Sequence, residues 1–233
     1  MARSAAGQKR GWLVPLSKTV TSEDSSFLDL EALRRTPLVP VPFPFVVVPG
    51  FLPGPARNAL SQGFPRIDKP GSFPVADLAI TPVFRDFVAE LEGPALRTAM
   101  AEKFSLDLAG RPTMVTVRGQ ARPADGRIHT DSRTKLITVL IYMNESWEAE
   151  GGRLRLLRSP ERLDDVIAEV PPAAGTLLAF QVTPHSWHGH APVDGPRRVI
   201  QLNWVTDQSV VRRERLRHGL SARMKRLFSR ARS

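Results

Sequence analysis

The chain has 233 residues, 42% of them hydrophobic and 24% charged, which suffices for one large domain with a substantial core. It contains no cysteine, so disulfides and thiolate metal sites are excluded, and any metal must be held by His, Asp or Glu. Of the net charge of +10, residues 211–233 carry +8, with nine Arg or Lys against one Glu, so the basicity belongs to a tail and the rest is close to neutral.

In chain order, residues 1–40 form an N-terminal extension of irregular texture. It holds one candidate short helix in "FLDLEALRR", capped by Ser or Asp, before Pro37, Pro40, Pro42 and Pro44 break the pattern. "PFVVVPGFLPGPARNAL" predicts a strand over Phe45–Val48, a Pro-Gly turn and a helix opening around Pro55. "TPVFRDFVAELEGPALRTAMAEKFSLDL" predicts two helical pieces split near Gly93 and Pro94. From Thr113 the texture changes to short β-rich runs, at 114–119, 134–144, 152–158, 175–182 and 197–205. Helices followed by a series of strands predict an α+β fold, an antiparallel β core buttressed by N-terminal helices. The body, residues 41–207, gives way near Asp207 and Gln208 to the tail, 208–233. No apolar run reaches the roughly 18 residues a membrane span needs. The basic start lacks the apolar stretch of a secretory signal, so a cytoplasmic location is the expectation.

Four of the five histidines fall in two clusters, "RIHTDSR" at 127–133 and "PHSWHGH" at 184–190. In an extended strand, residues two apart project from one face, so His129 and Asp131 can present an imidazole and a carboxylate to one ion. A histidine from the second cluster would complete two His and one carboxylate, a set that leaves coordination positions open and suits non-haem iron.

The order of motifs around these clusters resembles the iron(II)- and 2-oxoglutarate-dependent oxygenases, in their prolyl 4-hydroxylase-like branch. After His129 and Asp131 come "LITVLIYMNESW", "GGRLRLL", "PPAAGTLLAFQ" and "HSWHGHAPVDGPRRVIQLNW", a match over about 113–205. The resemblance implies a double-stranded β-helix (jelly-roll) barrel. It also implies Fe(II), with 2-oxoglutarate and dioxygen as co-substrates, and hydroxylation of an unactivated C–H with release of succinate. His129 and Asp131 become the proximal iron ligands. His188 becomes the distal one, because Pro192 and Val193 follow it and Arg198 lies ten residues on; His190 is its rival, and His185 fits less well.

The family also needs a cation to hold the distal carboxylate of 2-oxoglutarate, a task suited to the guanidinium fork. Arg198 is favoured over Arg197, being ten residues from His188 and six before Trp204. Alternation groups Arg198 with Ile200, Leu202 and Trp204, and Arg197 with Val199, Gln201 and Asn203. Tyr142, the only tyrosine, matches one that hydrogen-bonds the same carboxylate in related hydroxylases. Arg118, Arg133 and His190 are expected at the mouth of the site as substrate contacts.

The substrate is expected to be a small molecule or a peptide. The tail spaces Leu216, Leu220, Met224 and Leu227 as a basic amphipathic helix, suited to an anionic membrane surface or a protein partner. Nucleic-acid binding is not expected, since the body lacks a basic and aromatic recognition surface. Two other readings stay open: a zinc-dependent or cupin-like barrel without 2-oxoglutarate, separable by whether an arginine points at the metal, and a non-catalytic module acting through its tail.

Overall fold

The structure is a computed structural model and describes residues 26–213. The expected tail helix lies, from residue 214, outside the described residues, as does most of the stretch before Leu28. Within the segment set apart as an extension, Leu28 and Leu33 are already core residues.

Four helices come first. Helix α1 (Leu30–Arg35) is capped by the Asp29 side chain, which accepts from the Ala32 amide. After strand β1 (Phe45–Val48), α2 (Gly54–Gln62) opens on proline. Helices α3 (Pro82–Leu91) and α4 (Pro94–Phe104) divide at Gly93, because Pro94 has no amide hydrogen and is preset for a first helical turn.

Two antiparallel sheets follow. The larger has the order β1-β7-β4-β9-β3-β2, with β2 Phe73–Pro74, β3 Thr113–Ala121, β4 Lys135–Tyr142, β7 Leu177–Gln181 and β9 Gly195–Val205. The smaller has the order β6-β5-β8, with β5 Leu154–Leu157, β6 Val166–Val170 and β8 His188–Gly189. All strand pairs are antiparallel, giving a mixed α/β fold of jelly-roll type.

The central strands are buried on both faces, which is why they read as apolar runs. One face of β4, β7 and β9 presents Ile137, Val139, Ile141, Leu177, Ala179 and Trp204 to a core shared with α3 and α4. The other presents Tyr142, Leu178, Phe180 and Val199 to a second core, closed by Leu154, Leu156 and Val170 of the small sheet. Towards one end of this inter-sheet space the β4 and β9 side chains turn polar, and the cavities described below open there. No described helix is long and apolar enough to cross a membrane.

Candidate active site

The backbone builds the centre first. His129 and His188 exchange both their amide hydrogen bonds, 3.0 and 2.9 Å, as an isolated antiparallel pair that sets the two rings 4.3 Å apart. Asp131 follows His129 by two residues, and one ligand atom from each of His129, Asp131 and His188 lies within 4.8 Å of the others.

Each group is prepared as a donor to a cation. His129 Nδ1 faces the Arg127 carbonyl at 2.8 Å and His188 Nδ1 faces the Ser186 carbonyl at 2.9 Å. A ring nitrogen against a carbonyl must carry the proton, which leaves both Nε2 lone pairs free. Burial, with the neighbouring His129 adding to it, pushes the His188 imidazole down to about 4, so it is neutral at ordinary pH. Asp131 accepts from Lys135 Nζ at 2.8 Å and from the Thr138 hydroxyl. Burial raises its carboxyl, but the Lys135 charge, His188 and these hydrogen bonds outweigh that and hold it below the usual carboxylate range. Behind it runs a polar chain: Gln201 Nε2 donates to Asn203 Oδ1 at 2.9 Å, and Asn203 Nδ2 to Thr138 Oγ1 at 2.8 Å.

Two adjoining cavities meet at this centre, of about 120 and about 300 Å³. The smaller reaches Leu140, Leu154, Val199 and Arg197. Arg197 is 5% exposed, and its Nε donates to the Gly152 carbonyl at 2.9 Å. That carbonyl is available because Gly152 takes a positive φ of +77° and Trp147 packs where a side chain would stand. Arg197 Nη2 and the Tyr142 hydroxyl are buried with no partner among the described residues.

Residues 120–206 match the family model described as the 2OG-Fe(II) oxygenase superfamily. Among solved structures, the chain is similar to a prolyl-4-hydroxylase from Pseudomonas putida, at 20% identity and TM-score 0.52, covering 76% of this chain and 88% of that one. Two further structures are similar at TM-score 0.47 and 14% identity. One is HygX from Streptomyces hygroscopicus with nickel and 2-oxoglutarate bound, covering 69% of this chain and 81% of that one. The other is the viral collagen prolyl hydroxylase of Paramecium Bursaria Chlorella virus-1 in its 2OG complex, covering 70% and 96%. No curated protein matches the sequence.

The fold corrects one expectation about the arginines. Arg198 is exposed and lies over the Phe64 ring at 5.4 Å, outside both cavities, whereas Arg197 points inward. The reason is the facing of β9. Trp204, on the same face of the strand as Arg198, packs in the helix-side core with Ile200 and Leu202. The pocket face is the polar one, Arg197, Val199, Gln201 and Asn203, locked by pairing of β9 with β4 at Tyr142↔Val199, Leu140↔Gln201 and Thr138↔Asn203.

Among the other expected residues, Arg118 and His190 line the smaller cavity, and Arg118 the larger one too. Arg133 is exposed and lines neither, a second correction: it sits in the turn before β4 and faces solvent. His185 is exposed as well. Lys135, Thr138, Asp125 and Asn203 went unread in the sequence. Thr138 and Asn203 do carry a signal, as polar residues facing one another across otherwise apolar central strands.

Proposed function

We propose that this chain is an Fe(II)- and 2-oxoglutarate-dependent dioxygenase that hydroxylates an unactivated C–H of a small-molecule or peptide substrate, converting 2-oxoglutarate to succinate. The observation that carries it is the coexistence, on one cavity, of the His129, Asp131 and His188 donor set and the buried Arg197 Nη2, which has no partner among the described residues. Two imidazoles and a carboxylate fit Fe(II), and an unpaired guanidinium arm beside an unpaired phenol fits a carboxylate. An inward arginine also favours this reading over a zinc-dependent or cupin-like barrel without 2-oxoglutarate.

Bound Fe(II) would supply dioxygen activation coupled to decarboxylation of 2-oxoglutarate. The protein's own residues do the positioning. His129 and His188 offer Nε2, with each ring held by a carbonyl at Nδ1. Lys135 and Thr138 each occupy one Asp131 oxygen, so the carboxylate is held in one orientation before it meets a cation. Arg197 and Tyr142 would hold the distal carboxylate of the co-substrate, while Leu140, Leu154 and Val199 keep its methylene chain away from water.

The test is anaerobic visible absorption with Fe(II) and then 2-oxoglutarate. The expected result is a weak charge-transfer band that is lost in Asp131→Ala. Absence of any band in folded, metal-loaded protein would overturn the proposal.

A further inference from the structure

The wider cavity has a composition that the chemistry so far does not use. Three cations and two carboxylates line the joined cavities, Arg118, Lys135 and Arg197 against Asp125 and Asp131. Fe(II) and a 2-oxoglutarate dianion together add no net charge, so the loaded site keeps an excess of one positive charge. Lys135 is paired with Asp131, and Arg197 is taken by the co-substrate in the reading above. Arg118 is left. Its Nη1 donates to Asp125 at 2.9 Å, and that is its guanidinium's one hydrogen bond among the described residues, out of five possible donors. Asp125 compensates it only in part, because the same carboxylate also accepts from Arg122 Nε at 3.0 Å. The shared carboxylate fixes Arg118 in place while the remaining N–H groups stay free, in the preorganised form that a guanidinium needs to grip an oxyanion.

The rest of the wider wall is mixed. Ser132, Thr134, Gln201 and Asn203 offer hydroxyls and amides beside the apolar Met114, Val205 and Val210, and no Phe, Tyr or Trp lines the wider cavity among the described residues. An apolar aromatic substrate would find no Phe, Tyr or Trp ring to stack on there and would bury these hydroxyls and amides unpaired. We infer that the primary substrate is a small, polar, hydrogen-bonding molecule carrying an anionic group, a carboxylate or a phosphate, gripped by Arg118 in the wider cavity. This rests on the oxygenase reading.

The experiment is anaerobic titration of the Fe(II)- and 2-oxoglutarate-loaded protein with glycerate, glycerol 3-phosphate and glycerol, following the charge-transfer band. The three probes differ only in the charged end, so the two anion arms separate carboxylate from phosphate. The expected result is a saturable perturbation by at least one anion and none by glycerol. In Arg118→Gln that anion binds roughly tenfold or more weakly, while the band itself still forms. Should Arg118→Gln not fold, Arg118→Lys keeps the charge without the fork and is expected to give an intermediate loss. Equal response to glycerol, unchanged anion binding in the Arg118 variant, or a response that vanishes as 2-oxoglutarate is raised would overturn the inference. So would a normal band that neither anion moves. Absence of the band in wild type would instead overturn the oxygenase reading, and the inference with it.

Discussion

The Arg197 guanidinium sits 5.6 Å from the centre of the Tyr142 ring, and each of the two side chains holds a buried polar atom without a partner among the described residues. One unpaired buried polar group costs about 1–3 kcal/mol. Two such groups side by side, one of them cationic, make a receptor for an anion, and the Gly152 carbonyl that holds Arg197 Nε at 2.9 Å sets its direction.

Replacing these groups should separate their shares. Arg197→Met is expected to weaken 2-oxoglutarate by about a hundredfold, and Tyr142→Phe by about tenfold, as for hydrogen bonds to a charged group. Arg198→Ala should leave it unchanged, since Arg198 is exposed over Phe64. Titrating 2-oxoglutarate anaerobically against each Fe(II)-loaded variant checks all three, and an equal loss in Arg198→Ala would reverse the assignment.

Tyr142 also predicts an alkaline signature. Burial raises its hydroxyl from 10.0 to about 12, with Arg197 opposing in part. Between these values the unfolded chain releases the proton and the native state keeps it, so the unfolded state binds fewer protons and stability falls as pH rises. The contribution is fully present below pH 10 and amounts to roughly 2–3 kcal/mol. Urea unfolding at pH 9 and pH 11 should show a larger loss for wild type than for Tyr142→Phe, which lacks the group.

Thr138 links Asp131 to Asn203. Thr138→Val keeps the shape and removes both hydrogen bonds, so Fe(II) affinity should drop about tenfold. Stability should fall by about 1–3 kcal/mol through the buried Asn203 amide left unpaired. An anaerobic Fe(II) titration and a melting curve measure the two effects independently, and unchanged Fe(II) affinity would remove Thr138 from the support of the site.

Gly126 packs against the second histidine cluster. A methyl group there would stand 2.1 Å from the His190 carbonyl oxygen and 2.5 Å from its Nδ1. Gly126→Ala must therefore displace the segment carrying His188 and His190. It should cost about 1–3 kcal/mol, as overpacking does, and weaken Fe(II) binding as well. A variant with wild-type melting temperature and Fe(II) affinity would show that the two segments yield without strain.

How legible each part is from sequence follows from what holds it. Strands β4 and β7 are readable because burial on both faces writes a continuous apolar run. Strand β8 is two residues long and exists only through its partners, while β6 follows the charged "SPERLDD" and is partly exposed, so neither carries its own pattern. His129 and Asp131 show their common face by spacing alone. Alternation on β9 groups Arg197 with Gln201 and Asn203 correctly, but counting ten residues from His188 and six to Trp204 points to Arg198, because a count along the chain does not say which face of β9 meets the cavity. Lys135 and Asp125 act through contacts that fold only in three dimensions, and they look like ordinary surface charges in the chain.

Asn144 lines neither cavity. Its amide nevertheless donates to the Pro172 and Arg198 carbonyls at 2.7 and 3.1 Å and accepts from the Arg198 amide at 2.7 Å. It clamps β9 by the backbone of the very residue whose side chain is turned outwards. The register that separates two adjacent arginines is thus pinned a second time, by a side chain outside both cavities. A lesion at that pin would show up in the laboratory as an apparent co-substrate defect in a protein whose pocket residues were all intact.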